Sequence, residues 1–287
     1  YITDLQRCEV LQAPLDRLIL PLSELVTALS IRNRVPQIEV AIADNAVALV
    51  VRVLEPLTEA DQELLRRFGR EHSIQMFLQP GGYETIAPMD AVAPLEYRLP
   101  SFELTLQFLP TDFIQVNGPL NLQMIDLAVA LLAPTATDRV LDLFCGLGNF
   151  SLPLARRAGQ VVGVEGEAGL VARARANASR NGLQNTQFFT ANLADESLAT
   201  APFASPWAGK FDKVLLDPPR AGAKEVLPLV AKSGADSVLY ISCHPGSLAR
   251  DAGILVHEHG YELQAAGVMD MFPHTAHVES AALFNKK

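Results

Sequence analysis

Cysteine is scarce in this sequence: Cys8, Cys145 and Cys243 are the three thiols among 287 residues. They are too few and too widely separated for a disulfide framework, which points to a reducing, cytoplasmic setting with at least one thiol kept for function. The alternative is three small buried hydrophobes. No apolar run approaches the roughly 20 residues of a membrane-spanning helix, and the opening residues lack a basic region followed by an apolar core, so neither a membrane segment nor a signal peptide is expected. Charge is also sparse, at 19% of residues, and 23 Lys and Arg against 32 Asp and Glu leave a net charge of -9. That balance excludes a broadly basic nucleic-acid-binding module. Arginines do cluster locally, at Arg66, Arg67 and Arg70, at Arg156 and Arg157, at Arg173, Arg175 and Arg180, and at Arg220 with Lys224; each cluster fits a solvated helix face as well as an RNA contact. An initiator methionine is missing too. A chain that opens on Tyr1 reads as shortened or processed, with a segment expected upstream.

What is present is apolar material, 49% of residues, enough for two compact domains. Residues 1–100 read as a small mixed α/β domain with an accessory, RNA-positioning role. Leu15, Leu18, Ile19, Leu22, Leu25, Val26 and Leu29 recur at helical spacing between Pro14 and Ser30. Ile38 to Ile42 and Ala46 to Val53 read as a hairpin turning at Asp44 and Asn45, Leu57 to Arg70 as a helix, and Ile74 to Leu78 as a strand before Pro80, Gly81 and Gly82. No catalytic constellation falls in this domain.

From 101 to 287 short apolar strands alternate with helices: strand-like Phe102 to Phe108 and Phe113 to Val116, a helix over Leu120 to Leu132, a strand over Arg139 to Phe144, a helix over Phe150 to Ala158, and strands at Val161 to Glu165, Phe188 to Ala191, Lys213 to Asp217 and Ser237 to Ser242. The alternation predicts an α/β, doubly wound, Rossmann-like domain, whose ligands bind beyond the carboxyl ends of the strands. Asp142 leads into a turn with Gly146 and Gly148, and Glu165 closes the next strand, where its carboxylate can accept from the ribose hydroxyls of an adenosine cofactor. NAD fits these features alone. The glycine spacing is not that of a dinucleotide site, however, and the later Asp217-Pro218-Pro219 is typical of methyl transfer, so S-adenosylmethionine is the expected cofactor. Asn192 is placed to bind an adenine edge or, alternatively, to close a turn. Two prolines stiffen the backbone behind Asp217. Arg220 and Gly222 stand where amino methyltransferases carry an aromatic residue, which argues against an exocyclic amine as acceptor.

Taken together, FIQVN at 113–117, LDLFCGLGNF at 141–150, DPPRAG at 217–222, SCHPGSLARD at 242–251 and HTAHVES at 274–280 resemble the RNA uracil-5-methyltransferase family, particularly the bacterial members that modify 23S rRNA. The resemblance implies methylation of carbon 5 of a uridine through a covalent adduct at carbon 6. Cys243 is then the nucleophile and Glu279 the base. Gln115, Phe144, Gly146, Asn149, Glu165, Asn192 and Asp217 then line the S-adenosylmethionine site, with Phe113 beside the target base. The chemistry agrees, because carbon 5 of uracil is a poor nucleophile until a thiolate adds to carbon 6. A free thiol with a pKa of about 8.5 needs local activation for that role. Cys145, inside the glycine-rich turn, is the competing nucleophile. Glu279 is otherwise an acidic residue beside a terminal strand.

Two departures from the family pattern stand out. His244 replaces the usual asparagine beside the nucleophile. The RNA-binding TRAM domain and three of the four cysteines that hold a [4Fe-4S] cluster are missing, which leaves Cys8 as an orphaned fourth ligand and predicts that this chain alone holds no cluster. The implied partner is RNA, with 23S rRNA first; no membrane and no protein partner is implied. The alternatives are a tRNA uracil-5-methyltransferase and a nonenzymatic RNA-binding or assembly protein on the same fold. Burial of Cys243 away from the cofactor cleft would favour the last.

Overall fold

The computed structural model describes residues 4–195, 197, 207 and 209–287. The chain divides into two compact units, one made of Tyr1–Tyr97 with Gln107–Asp112 and the other of Arg98–Leu106 with Phe113–Lys287.

In the first unit α1 (Ile19–Ala28) is preceded by a 3₁₀ turn at Leu15–Arg17, so the expected single helix is broken. Antiparallel β1 (Gln37–Ile42) and β2 (Val47–Arg52) turn at Asp44 and Asn45 as expected. Next come α2 (Glu59–His72), β3 (Ile74–Gln79), which pairs parallel to β2, and the short antiparallel β4 (Ala87–Pro88). Leu25, Leu29, Leu49, Val51, Leu65 and Met76 form its core. A capping box opens α2: Thr58 and Asp61 exchange side-chain-to-backbone bonds, which satisfies two of the donors that a helix start leaves unpaired. Asp61 also accepts from Ser30 N at 2.7 Å and Ser30 Oγ at 2.6 Å. Burial pushes its carboxyl up, but the bonds from Ser30 and Thr58 outweigh that and bring it down to about 2.

β5 (Leu95–Leu99) and β6 (Leu104–Phe108) form a two-stranded ribbon where one strand over 102–108 was expected. A 3₁₀ turn at Pro100–Phe102, ended by Glu103 with φ 54°, separates them. Residues 113–116, expected as a strand, are irregular. Phe113 and Val116, from the β-favouring run that reads as a strand, join no sheet and are 74% and 64% exposed. Asn117 instead starts α3 (Gly118–Leu132) by accepting from Leu120 N.

The second unit then runs β7 (Arg139–Leu143), α4 (Ser151–Ala155), β8 (Gln160–Glu165), α5 (Ala168–Arg180), β9 (Thr186–Thr190), β10 (Lys213–Leu216), α6 (Leu227–Ser233), β11 (Ser237–Ser242), α7 (Pro245–His257), β12 (Tyr261–Met269) and β13 (Glu279–Lys286). Seven strands form one sheet in the order β12-β13-β11-β10-β7-β8-β9. β9, β8, β7, β10 and β11 are parallel, and β13 enters antiparallel between β11 and β12. Helices cover both faces of such a sheet, so its inner strands are apolar without alternation: Val214 to Leu216 and Val238 to Tyr240 are fully buried. Strand order reverses between β7 and β10, which opens a crevice beyond their carboxyl ends. Because β13 runs the other way, its first residue, Glu279, lies at that same edge. This is the doubly wound, Rossmann-like α/β architecture that the alternation predicts, alongside a smaller mixed α/β unit.

Candidate active site

The turn after β7 is held in place by backbone hydrogen bonds. Phe144 N and Cys145 N both donate to Val164 O, at 2.9 and 3.1 Å. Phe144, Gly146 and Gly148 all have positive φ, at 65°, 54° and 102°. A Cβ on Gly146 would meet nothing within 4 Å, so this glycine faces open space and is required by its conformation rather than by crowding. Glu165 ends β8 with Oε2 accepting from Gly146 N at 3.1 Å and Oε1 from Gly166 N and Glu167 N at 2.7 and 3.1 Å. The carboxylate therefore stands at the crevice with its orientation fixed. Asp142, fully buried beneath the turn, accepts from Ser151 Oγ, and its Oδ1 has no partner. Burial above all, with the nearby Glu165, pushes its carboxyl up to about 7.

The remaining expected cofactor residues differ in how they are engaged. Gln115 keeps a buried Oε1 with no partner. Asn149 exchanges amide hydrogen bonds with buried Asn121 at 3.0 and 3.1 Å, which ties α3 to the glycine turn. Asn192 is exposed after β9, and its Oδ1 accepts from Ala194 N, closing a turn. Asp217 follows β10, and burial, then Glu279 and Asp142, raise its carboxyl well above the ordinary range. A crevice bordered by Asp142, Glu165 and Asp217 suits a cationic ligand. The unpaired Gln115 and Asp142 oxygens and the open cradle at Gly146 fit an adenosyl sulfonium such as S-adenosylmethionine.

Cys243 immediately follows β11, and Glu279 opens β13 directly across from it. The ladder pairs Ser242 with Ser280, and Ser280 Oγ donates to Ser242 O at 2.9 Å. Glu279 is 3% exposed, its Oε2 has no partner, and burial lifts its carboxyl to about 7. Cys243 is half-buried; burial, Glu279 and Asp217 push its thiol up, while Arg220 pulls it down by charge and by a hydrogen bond. Cys145 is buried, and burial with Asp142 and Glu165 holds it firmly as a neutral thiol. Of the two cysteines in this unit, only Cys243 has both access and a cation.

Sequence reasoning missed the residues that hold these parts in place. Asn117 donates to Met271 O at 3.2 Å as well as capping α3. Buried Asp251 on α7 accepts from Ala223 N at 2.7 Å and Tyr240 OH at 2.6 Å and pairs with Arg250, which donates to Ala221 O at 2.8 Å. Together they clamp the loop that carries Arg220. Gly222 in that loop has φ 88°, and a Cβ there would come within 2.6 Å of Asp251 Oδ2. His244 caps α7 by accepting from Ser247 N through Nδ1 at 3.1 Å, so the ring nitrogen does what an asparagine oxygen does at a helix start. The signals were present in the DPPRAG and SCHPGSLARD segments, but the pairings between them join residues distant in sequence.

Cys8 is half-buried in the first unit. Among the described residues no group of three or more His, Cys, Asp or Glu could hold a metal. The residues present do not fit a four-thiolate cluster.

The profile of the tRNA (uracil-5-)-methyltransferase family matches residues 96–287. A relative from Stenotrophomonas maltophilia (strain K279a), "23S rRNA (uracil(1939)-C(5))-methyltransferase RlmD", is 51% identical over all of this chain and 64% of its own length. A relative of the same name from Alkalilimnicola ehrlichii is 54% identical over the same shares. The chain thus spans 64% of the length of these curated relatives. Among solved structures, the Pyrococcus abyssi tRNA (uracil-54, C5)-methyltransferase in complex with S-adenosyl-L-homocysteine superposes with a TM-score of 0.76 at 22% identity, over 99% of this chain and 70% of that one; it shares the fold. On the profile match and the identity to these relatives along the whole of this chain, the chain belongs to the tRNA (uracil-5-)-methyltransferase family.

Proposed function

We propose that this chain is the methyl-transferring part of a cytoplasmic enzyme that methylates carbon 5 of a uridine in 23S rRNA, with Cys243 as nucleophile and Glu279 as base. The observation that supports the reading is that these two residues lie at the same sheet edge, one just after β11 and the other opening the reversed β13, beside the paired Ser242 and Ser280. Bound S-adenosylmethionine supplies an electrophilic methyl group on a cationic sulfur. Gly146, Glu165 and Gln115 bind and orient it, and Asp142 and Asp217 surround it with buried acid. The Cys243 thiolate forms a bond to carbon 6 of uracil, the carbon 5–carbon 6 π electrons move toward O4, and carbon 5 becomes nucleophilic. After carbon 5 has gained its methyl group, Glu279 accepts the carbon-5 proton. The electron pair left behind restores the double bond, and the carbon–sulfur bond breaks to return the thiolate. Glu279, raised to about 7 by burial, is matched to taking up a proton near neutrality. Phe113, exposed, is available to stack on an unstacked base.

The choice of 23S rRNA over tRNA is supported by relatives at 51% and 54% identity named for the former, against 22% for the solved structure named for the latter. Full-length protein is incubated with labelled S-adenosylmethionine and either purified 23S rRNA or tRNA. Label on carbon 5 of a 23S uridine, abolished by Cys243→Ala, is expected. Transfer to tRNA alone, or transfer that survives Cys243→Ala, overturns the corresponding half.

A further inference from the structure

We infer that Asp251 on α7 is the positioning residue that sets the nucleophile against the methyl donor, by tying the loop after β10 to the strand and helix that flank Cys243; this rests on Cys243 being the nucleophile. Cys243 lies between Ser242, the last residue of β11, and α7, which begins at Pro245. β10 pairs parallel to β11, with Leu216 opposite Tyr240. The loop that starts at Asp217 therefore leaves the sheet beside the strand end that carries the thiol. The ladder stops at Leu216, and the loop beyond it needs other anchors.

Asp251 supplies them. It is fully buried, and its Oδ2 accepts from Ala223 N in the loop at 2.7 Å and from Tyr240 OH on β11 at 2.6 Å. Its Oδ1 accepts from Arg250 Nε at 2.8 Å and lies 2.7 Å from Nη2, which also donates to Ala221 O at 2.8 Å. Loop, strand and helix thus meet at one carboxylate with both oxygens engaged. A buried carboxylate is costly to leave unpaired, and one that is fully paired holds its partners in a single arrangement. Gly222 stands between the two anchored residues with φ 88°, and a Cβ there would come within 2.6 Å of Asp251 Oδ2. The glycine is what lets the loop backbone close on the carboxylate. Earlier in the loop Pro218 and Pro219 stiffen the chain, and Gly222 N donates to Pro219 O at 2.8 Å. Arg220 Nη2 lies 2.6 Å from Nδ1 of His277, two residues before Glu279. The loop held by Asp251 therefore carries Asp217 at one end and touches the approach to β13 in its middle.

The reaction needs that arrangement. Sulfur adds to carbon 6 and the methyl group goes to carbon 5, so nucleophile and donor must face adjacent atoms of one ring, where a misplacement of about 1 Å costs on the order of a hundredfold. When the donor is out of line, the adduct takes a proton from water at carbon 5 in place of the methyl group. Loss of the original carbon-5 hydrogen to the base then restores the double bond, breaks the carbon–sulfur bond and returns unmethylated uracil.

Two measurements test this on Tyr240→Phe, which deletes one bond and keeps the buried ring, and on Asp251→Asn. In protein free of cofactor and RNA, hydrogen exchange at Ala223 N–H should quicken about tenfold in both variants while the amides of β10 and β11 stay protected. In full-length protein with carbon-5-tritiated 23S rRNA and methyl-labelled S-adenosylmethionine, wild type should release tritium and transfer methyl in equal amounts. Both variants should release about twofold more tritium than they transfer methyl, with KM for S-adenosylmethionine within about twofold of wild type. A merely structural loss would lower the amount of active protein and leave the two amounts equal. Equal amounts in the folded variants, or unchanged exchange at Ala223, overturns the inference, and Tyr240→Phe alone decides if Asp251→Asn does not fold. Tritium release that survives Cys243→Ala would instead defeat the nucleophile reading, and the positioning role would fall with it.

Discussion

Glu279→Gln is the most informative perturbation, because the same buried carboxyl should cost stability and confer chemistry. Burial raises its pKa from 4.5 to about 7. For a carboxyl whose folded pKa lies above its unfolded value, both states are protonated below pH 4.5 and there is no penalty. Between 4.5 and 7 the unfolded chain loses its proton while the folded protein keeps it, so stability falls with rising pH; above 7 the penalty is complete. At 1.36 kcal/mol per unit, discounted for the partial access of solvent to the crevice, the penalty is about 1–3 kcal/mol. Glutamine has the same shape and never ionises, so the variant should match wild type at pH 4.5 and gain stability progressively to pH 8. In a domain of this size each kcal/mol shifts Tm by about 2–4 °C. Thermal melting of both proteins at matched ionic strength across that range is the assay. A constant difference between the two melting curves from pH 4.5 to 8, or a variant less stable at pH 8, would refute the burial argument. The same substitution, in full-length protein with RNA, should permit thiol addition and methyl transfer but block elimination, so a methylated protein–RNA adduct accumulates while the carbon-5 tritium of labelled RNA is retained. Normal tritium release would remove Glu279 as the base.

Asp61, brought down to about 2, has the opposite sign: its contribution is present above the ordinary carboxyl value near 3.8 and is lost as pH falls toward 2. Asp61→Asn should therefore cost about 1–2 kcal/mol at pH 7 and progressively less toward pH 2 in denaturant titrations of the first unit's unfolding. Gly222→Ala should cost more than about 2 kcal/mol, because φ 88° is unfavourable for alanine and the new methyl group meets Asp251; unchanged melting would show that the clamp is loose. His244→Asn should keep the α7 cap and melt within about 0.5 kcal/mol of wild type, whereas His244→Ala should lose about 0.5–2 kcal/mol. Equal effects from the two would mean that the ring does not serve as the cap.

Much of the fold is legible because its signals are local. The runs 161–164, 214–216 and 238–241, free of charged residues, carry no alternation and so announce buried parallel strands. Positive φ at Gly146 and Gly148 follows from residues that tolerate it, and the turn they make sits where the strand order predicts a crevice. Residues 113–116 read as a strand because Phe113, Ile114 and Val116 are β-favouring types, whereas the deciding feature is Asn117, which caps the helix that follows. The Arg220–His277 and Asn121–Asn149 contacts were illegible for another reason: each joins segments whose proximity exists only once the sheet is assembled. Cys243 and Glu279 were marked in the sequence by the family resemblance, but nothing local showed that a reversed strand would bring them to the same edge.

That reversed strand also acts as a ruler. Its ladder with β11 runs from Ser237 opposite Asn285 to Ser242 opposite Ser280, and Phe284, fully buried, fixes the far end. Side chains alternate along a strand, so a slip of one residue would send the Glu279 carboxyl to the other face of the sheet and bring a serine or a valine to the thiol in its place. The distance between nucleophile and base is therefore governed by packing at the opposite end of β13, well away from any substrate. Shaving Phe284 to alanine would be felt as a loss of alignment as well as of stability, and a catalytic defect could arise from a residue that touches nothing in the crevice.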